Sequence, residues 1–169
     1  MKLNEGIEWA VHCVSVLSGM PTGATLPTKV LAEYHGLSET YLAKHLQALA
    51  NAGIVESVPG PKGGYRLLRA AENITLLDIV EAIDGKEPTF RCTEIRQRGP
   101  LASCNPDGYR LPCGIHVAMM KADKAWRDAL RAQTIAGLAG NYVKTVNPEH
   151  LQRVIGWFGE RLRQPGKPS

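Results

Sequence analysis

Three cysteines, Cys92, Cys104 and Cys113, lie in one stretch of the chain, separated by eleven and eight residues, and a fourth, Cys13, stands far upstream. Thiolates are both nucleophiles and soft metal ligands. In a chain with a cytosolic composition, four cysteines argue against a disulfide framework and toward a metal or redox role. Near the start, Glu8 and His12 are four residues apart. On a helix that spacing stacks a carboxylate and an imidazole on one face. Such a pair suits metal ligation, and it is also a common arrangement on an ordinary helix surface. Cys13 follows His12 but points about 100° away around the helix, which places it with the core. His116, three residues after Cys113, reads as a polar residue in the first turn of a helix or as a further imidazole donor.

Elements must hold these groups. Ile7, Ala10, Val11, Val14 and Leu17 recur at helical spacing, so residues 3–19 are predicted to form an amphipathic helix ended by Met20-Pro21-Thr22-Gly23. A second helix is expected from Thr28, as its cap, to Tyr34. A third is expected over Glu39–Ala52, capped by Ser38 and closed at Gly53, with Leu42, His45/Leu46 and Leu49 on one face. Two apolar-rich runs, 54–58 and 65–67, flank Pro59-Gly60-Pro61-Lys62-Gly63-Gly64, which reads as a β-hairpin tip carrying one cation. Another helix is expected over 76–83, stopped by Asp84-Gly85. Residues 86–114 carry Pro88, Pro100, Pro106, Pro112 and three of the cysteines with little periodicity, the mark of a functional loop. Beyond it, Met119, Ala122, Trp126, Leu130 and Gln133 predict one long helix over 117–136, suited to dimerisation. Asn147-Pro148-Glu149 starts a last helix with Leu151, Val154, Ile155, Phe158 and Leu162 as its stripe, and Gln164–Ser169 read as a tail.

The fold class is therefore mainly α with a small β-hairpin wing, a winged helix–turn–helix plus a long dimerisation helix. The expected division is a DNA-binding domain over 1–85, a cysteine loop over 86–116, and a dimerisation helix with a C-terminal helix over 117–163. With 169 residues and 44% apolar content, the chain can fold as one ordinary domain or as a small domain with an arm. No apolar run is long enough to span a bilayer, and no leader pattern is visible, so a soluble cytoplasmic protein is expected. The net charge of +4 is modest, and Lys62, Arg66 and Arg69 gather at the hairpin, as contact with phosphates would require. No glycine-rich dinucleotide loop or nucleophile–base pair stands out, so no enzyme is expected.

In a helix–turn–helix the second helix enters the major groove and its N-terminal residues meet base edges. Here those are Ser38, Glu39, Thr40, Tyr41 and Lys44. Thr28 at the start of the preceding helix, and Gly60, Lys62 and Gly63 at the hairpin tip, complete the expected DNA-binding set.

Leu31-Ala32 through Ser38-Glu-Thr-Tyr41-Leu42, then Gly53-Ile-Val55, then Gly60-Pro-Lys-Gly63-Gly64-Tyr65-x-Leu67, resemble the Rrf2 family of bacterial winged-helix regulators. Ile74-Thr75-Leu76-x-Asp78-Ile79, the cysteine loop and the long helix with Trp126 continue the likeness. Two features differ: Pro59 stands where the family often has arginine, and the three cysteines are more widely spaced. The start, Gly6-Ile-Glu8-Trp9-Ala-x-His12-Cys13, is similar to the redox-responsive, RsrR-type branch. That resemblance implies a homodimeric regulator, by expectation a repressor, sensing redox state through a 2Fe–2S cluster that bridges the subunits. It implies Glu8, His12, Cys104 and Cys113 as ligands, the cysteines coming from the partner, with Cys92 as the alternative thiolate and Trp9 as a switch or relay. A 4Fe–4S cluster answering nitric oxide or iron–sulfur status, or a cluster-free thiol switch, is the alternative.

Overall fold

The computed structural model describes residues 4–61, 63–100, 102 and 109–163. Helix α1 (Glu5–Ser18) begins at Asn4, whose side chain accepts from Gly6 N at 2.8 Å. It buries Ile7, Ala10, Cys13, Val14 and Leu17 on one face, as the spacing predicts. Helix α2 (Thr28–His35) starts after Pro27, which occupies the cap position, so Thr28 is the first helical residue and not the cap. Gly36 adopts φ 65° and turns the chain toward α3 (Glu39–Asn51). Ser38 holds the cap position of α3 through its backbone alone: its carbonyl accepts from Leu42 N at 3.0 Å, with no side-chain cap bond. Gly53, at φ 68°, leads the chain out of this helix.

Strands β1 (Val55–Val58) and β2 (Gly64–Leu67) pair antiparallel with Val55 opposite Leu67 and Val58 opposite Gly64. The hairpin continues into the body through a bridge between Tyr65 and Leu26, with backbone bonds of 3.0 and 2.8 Å. Helix α4 (Leu76–Asp84) starts in a reciprocal capping box: Thr75 Oγ1 accepts from Asp78 N, and Asp78 accepts from Thr75 N at 2.8 Å. It stops at Gly85, as Asp84-Gly85 indicates.

The long helix expected over 117–136 is two helices. Helix α5 (Gly114–Arg131) begins three residues earlier and ends before α6 (Ile135–Thr145), and α7 (Pro148–Gly159) follows. The break has a long-range cause. Leu76 N donates to Gln133 O at 2.9 Å, and Ile135 N donates to Ile74 O at 2.9 Å. This bridge pins the chain to the lead-in of α4, and Thr134 then caps α6 by accepting from Gly137 N. The break swings Ile135 into the core.

That core gathers Val14, Leu26, Leu31, Leu42, Leu46, Leu49, Ile54, Ile74, Ile79, Ile135 and Phe158 into one cluster. Each such side chain contributes roughly 1.5–3 kcal/mol on burial. It is contiguous from α1 through the hairpin to α7, so α6 and α7 are packed onto the same body as the helix–turn–helix. Among the described residues no helix is long and apolar enough to cross a membrane. The expected tail, Gln164–Ser169, lies outside the described residues.

Candidate nucleic-acid interface and thiol site

Helix α3 buries Leu42, Leu46 and Leu49 and leaves its first turn free. Ser38, Glu39, Thr40, Tyr41 and Lys44 are all exposed. Tyr41 is 60% exposed although aromatic, and Lys44 Nζ lies 5.2 Å from its ring centroid. An uncovered tyrosine beside an ammonium is a surface suited to phosphate and base edges. Thr28 is half-buried at the start of α2.

The hairpin tip is built on glycine. Gly60 has φ 95°. At Gly63 an added Cβ would stand 2.1 Å from Val58 O, so no side chain fits. Lys62, the expected tip cation, lies outside the described residues. Of its basic neighbours, Arg66 is paired across the strands with Glu56 and also donates to Gly23 O at 3.4 Å. Arg69 stands 3.9 Å from Asp78. The basic patch read from composition is thus partly neutralised by these acids.

On α1, Glu8 and His12 both face outward and are exposed, on the side opposite the buried stripe. His12 meets His35 of α2 in a tilted contact, with 5.5 Å between ring centroids. Burial, and secondarily His12, holds the His35 imidazole below its ordinary value. Trp9 meets His45 of α3 edge-on at 5.8 Å. The space for that ring exists because residue 6 is glycine: a Cβ there would lie 2.2 Å from His45 Cε1. Cys13 is fully buried, and burial pushes its thiol up to about 12, as suits a core position.

The cysteine loop leaves α4 through a polar knot. Buried Asp123 of α5 accepts from Thr89 N (3.1 Å), Thr89 Oγ1 (2.8 Å) and Arg127 Nε (2.8 Å). Arg127 also reaches Glu81 at 2.9 Å and the carbonyls of Lys86 and Glu87. Further along, Glu94 takes φ 49°, and its N–H points at Cys92 Sγ at 3.4 Å. Arg96 pairs with Glu94, donates to Leu111 O at 3.3 Å and stands over the Tyr109 ring.

Cys113 occupies the cap position of α5. The backbone N–H groups of His116 and then Ile115 lower its thiol from the ordinary value, with the Arg96 charge adding to the effect. A helix N-terminus stabilises an anion in this way. Glu94 first of all holds Arg96 charged, and Cys113 and Cys92 add to that effect electrostatically. Cys104 lies outside the described residues. His116 sits in the first turn of α5 with its ring 6.3 Å from Phe90.

Among the described residues no three His, Cys, Asp or Glu side chains converge as a metal site. Within one chain the structure sets Glu8 and His12 side by side on the exposed face of α1, and Cys113 at the cap of α5. Sequence reasoning missed Arg96, Glu94 and the Asp123–Arg127 pair. The last was legible as an acid and a base four apart on a helix. Nothing local marked Arg96, whose partners come from the fold of the loop.

A helix–turn–helix with an exposed recognition turn and a glycine-built hairpin beside it defines a winged-helix DNA-binding regulator. Residues 3–141 match the model of the Rrf2 family, described as an iron-dependent transcriptional regulator, and the chain belongs to that family. The HTH-type transcriptional regulator BadM of Rhodopseudomonas palustris is similar at 46% identity over 96% of this chain and 94% of its own length. The HTH-type regulator IscR of Vibrio atlanticus is 32% identical over 54% of this chain and 53% of its own. Among solved structures, T. potens IscR shares the fold with TM-score 0.64 at 22% identity, covering 90% of this chain and 96% of that one. The oxidised form of Staphylococcus aureus CymR superposes with TM-score 0.60 at 26% identity, covering 82% and 96%. The chain is accordingly a transcriptional regulator and not an enzyme.

Proposed function

We propose that the chain is a dimeric repressor whose grip on its operator follows the redox state of a 2Fe–2S cluster. Glu8 and His12 of one subunit and Cys104 and Cys113 of the other would hold it, with Cys92 as the substitute thiolate. The observation that carries this reading is the division of donors. An exposed carboxylate–imidazole pair stands on α1, and a thiol biased toward thiolate stands at the start of α5. The donor types fit: thiolate binds iron firmly, and imidazole in place of thiolate raises the potential. Donors divided between α1 and the start of α5 are what an interface-bridging cluster would draw on, one set from each subunit. The iron-dependent description of the family agrees with such a cofactor.

Bound there, the cluster supplies a reversible one-electron couple. The chain's own residues supply the reach to DNA. Helix α1 carries Glu8 and His12, and it also carries Trp9 against His45 of the recognition helix. A shift of α1 at the interface therefore moves α3. Two recognition helices must meet major grooves about 34 Å apart, so a small rotation of either changes affinity. Helix α5, with Ile115, Val117 and Met119 exposed, would form the dimer contact.

Iron and sulfide assay after anaerobic purification, with visible absorption before and after dithionite, tests the cofactor. Roughly two irons per chain and a reversible bleach are expected. Cys113→Ala should remove the visible spectrum and leave a folded dimer by circular dichroism and gel filtration; an intact spectrum would sink the ligand assignment. One observation favours a second reading. Cys92 and Cys113 both act electrostatically on Arg96, and a CymR structure at 26% identity is described as an oxidised form. A thiol switch without iron would show no visible band and a DNA affinity lost on peroxide and restored by dithiothreitol. About four irons with loss on nitric oxide would instead mark a 4Fe–4S sensor.

A further inference from the structure

The C-terminal helix and the segment after it are tied to the first helix of the helix–turn–helix and to the wing. At its far end the chain runs beside the wing. Arg163 N donates to Thr25 O at 3.0 Å, and Thr25 N donates to Arg163 O at 2.9 Å. Leu26, the next residue, bridges to Tyr65 of β2 in the same manner. Arg163, Thr25–Leu26, β2 and β1 therefore form a continuous patch of backbone pairing, four segments wide. From this edge the Arg163 guanidinium crosses to the wing tip and donates to Gly63 O at 3.0 Å. Gly63 lies in the turn closed by its own N–H on Gly60 O at 2.8 Å, where no side chain fits.

The other end of the brace is aromatic. Phe158 is 2% exposed in the core, with its ring 4.5 Å from Tyr34 of α2 and 4.9 Å from Trp157. Trp157 also meets Tyr34, at 5.4 Å, and carries Arg161 over its face at 4.1 Å. Helix α7 thus touches the first helix of the helix–turn–helix through aromatic packing, and the segment that follows it reaches the wing through the Arg163 guanidinium. Both α7 and Arg163 lie beyond the residues matched by the family model, which end at 141, while their partners lie within them.

We propose that Arg163 is a positioning residue for DNA binding, and that α7 with Arg163 sets the wing tip relative to the recognition helix. A two-stranded hairpin is marginal by itself and moves about its base unless something packs on it. The wing has the Leu26 bridge along β2 at Tyr65, one pair short of the Val58–Gly64 pair that ends the ladder, and Arg163 at its tip. Freed from Arg163, the tip samples more orientations, and ordering it on DNA costs conformational entropy at binding. The inference rests on the wing contacting DNA, and its test separates the two.

The test compares Arg163→Leu and Arg163→Lys with wild type in the full-length protein. Amide exchange is measured on the free protein, and affinity and hydroxyl-radical footprint on a duplex enriched by wild type from a random-sequence pool. Arg163→Leu should speed exchange at Gly63 while α3 amides stay as in wild type. It should bind about three- to tenfold more weakly, in line with one lost hydrogen bond, and lose the protections flanking the major-groove footprint. Arg163→Lys keeps a donor of similar reach and should bind within about twofold of wild type. Unchanged affinity in Arg163→Leu would overturn the proposal. So would weakened affinity with unchanged Gly63 exchange, the mark of a direct phosphate contact by Arg163. If the leucine variant does not fold, a lysine variant tenfold weaker than wild type also overturns it. Failure of wild type to enrich any duplex would sink DNA binding by this head, while the exchange comparison would still report on the brace.

Discussion

Asp123→Asn asks whether the polar knot holds the cysteine loop to the body. The Asp123 carboxylate is nearly inaccessible, at 4% side-chain exposure, and its Arg127 partner is 17% exposed. One oxygen takes both donors of Thr89, and the other takes Arg127 Nε. An asparagine keeps an oxygen for Thr89 but turns an N–H₂ toward a guanidinium. The change removes one charge-assisted bond, worth about 1.5–3 kcal/mol, and Arg127 retains Glu81. For a chain of this size each kcal/mol moves Tm by about 2–4 °C, so a loss near 2 kcal/mol predicts a drop of about 4–8 °C. Asp123→Ala strands Thr89 as well and should cost about 3–5 kcal/mol. Thermal melts at fixed protomer concentration measure this, and limited proteolysis within 86–113 should accelerate in step.

The sign of the pH dependence sharpens that test. Thr89, and after it Arg127, holds the Asp123 carboxyl below its ordinary value of 3.8. A depressed carboxyl stabilises the fold above its unfolded value, and the stabilisation fades as pH falls through the folded value. The gap between wild type and Asp123→Asn should therefore be full at pH 7, begin to narrow as pH falls past about 4, and close further into acid. A variant melting within about 1 °C of wild type at pH 7, or a gap that does not change in acid, would refute the reasoning.

Two further outcomes are expected. With the protein native at pH 8 and free of metal, iodoacetamide should label Cys113 early, because its thiol is lowered by the α5 amides, and leave Cys13 unlabelled, because burial holds its thiol near 12. Mass mapping that finds Cys13 labelled first would contradict both assignments. Gly64→Ala sets a Cβ 2.6 Å from the Leu26 backbone, which cannot step aside without breaking the Tyr65–Leu26 bridge. It should cost at least about 2 kcal/mol in urea melts and weaken DNA binding, whereas wild-type stability in that variant would mean the approach of Leu26 to β2 is looser than drawn.

Much of the fold was open to reading because its signals are local. The Leu42, Leu46 and Leu49 stripe marks α3, Gly36 and Gly53 take the positive φ that their positions demand, and the Pro-Gly run marks the hairpin tip. Caps were less legible. Thr28 and Ser38 are good capping types, yet neither side chain makes a cap bond, since Pro27 takes one cap position and the backbone alone serves the other. The long helix was misread because helical spacing through Gln133 continues smoothly past a point where the chain is bonded to Ile74 and Leu76, some sixty residues earlier by number. No window of sequence contains both partners.

By itself, the sequence determined the winged helix–turn–helix, the exposed first turn of its second helix, the glycine-built wing tip, and the pairing of Glu8 with His12 on one face. Each follows from period, turn chemistry and i,i+4 geometry, which act within a few residues. The tertiary structure alone decided which charges are free and which are spent. It pairs Arg66 with Glu56, sinks Asp123 and Arg127 into a knot, and sets Arg96 against Glu94 and the Tyr109 ring. It also carries Arg163 across to the wing. These contacts join residues far apart in the chain, and their geometry exists only once the shared core has closed around Phe158, Ile135 and the helices of the DNA-binding head.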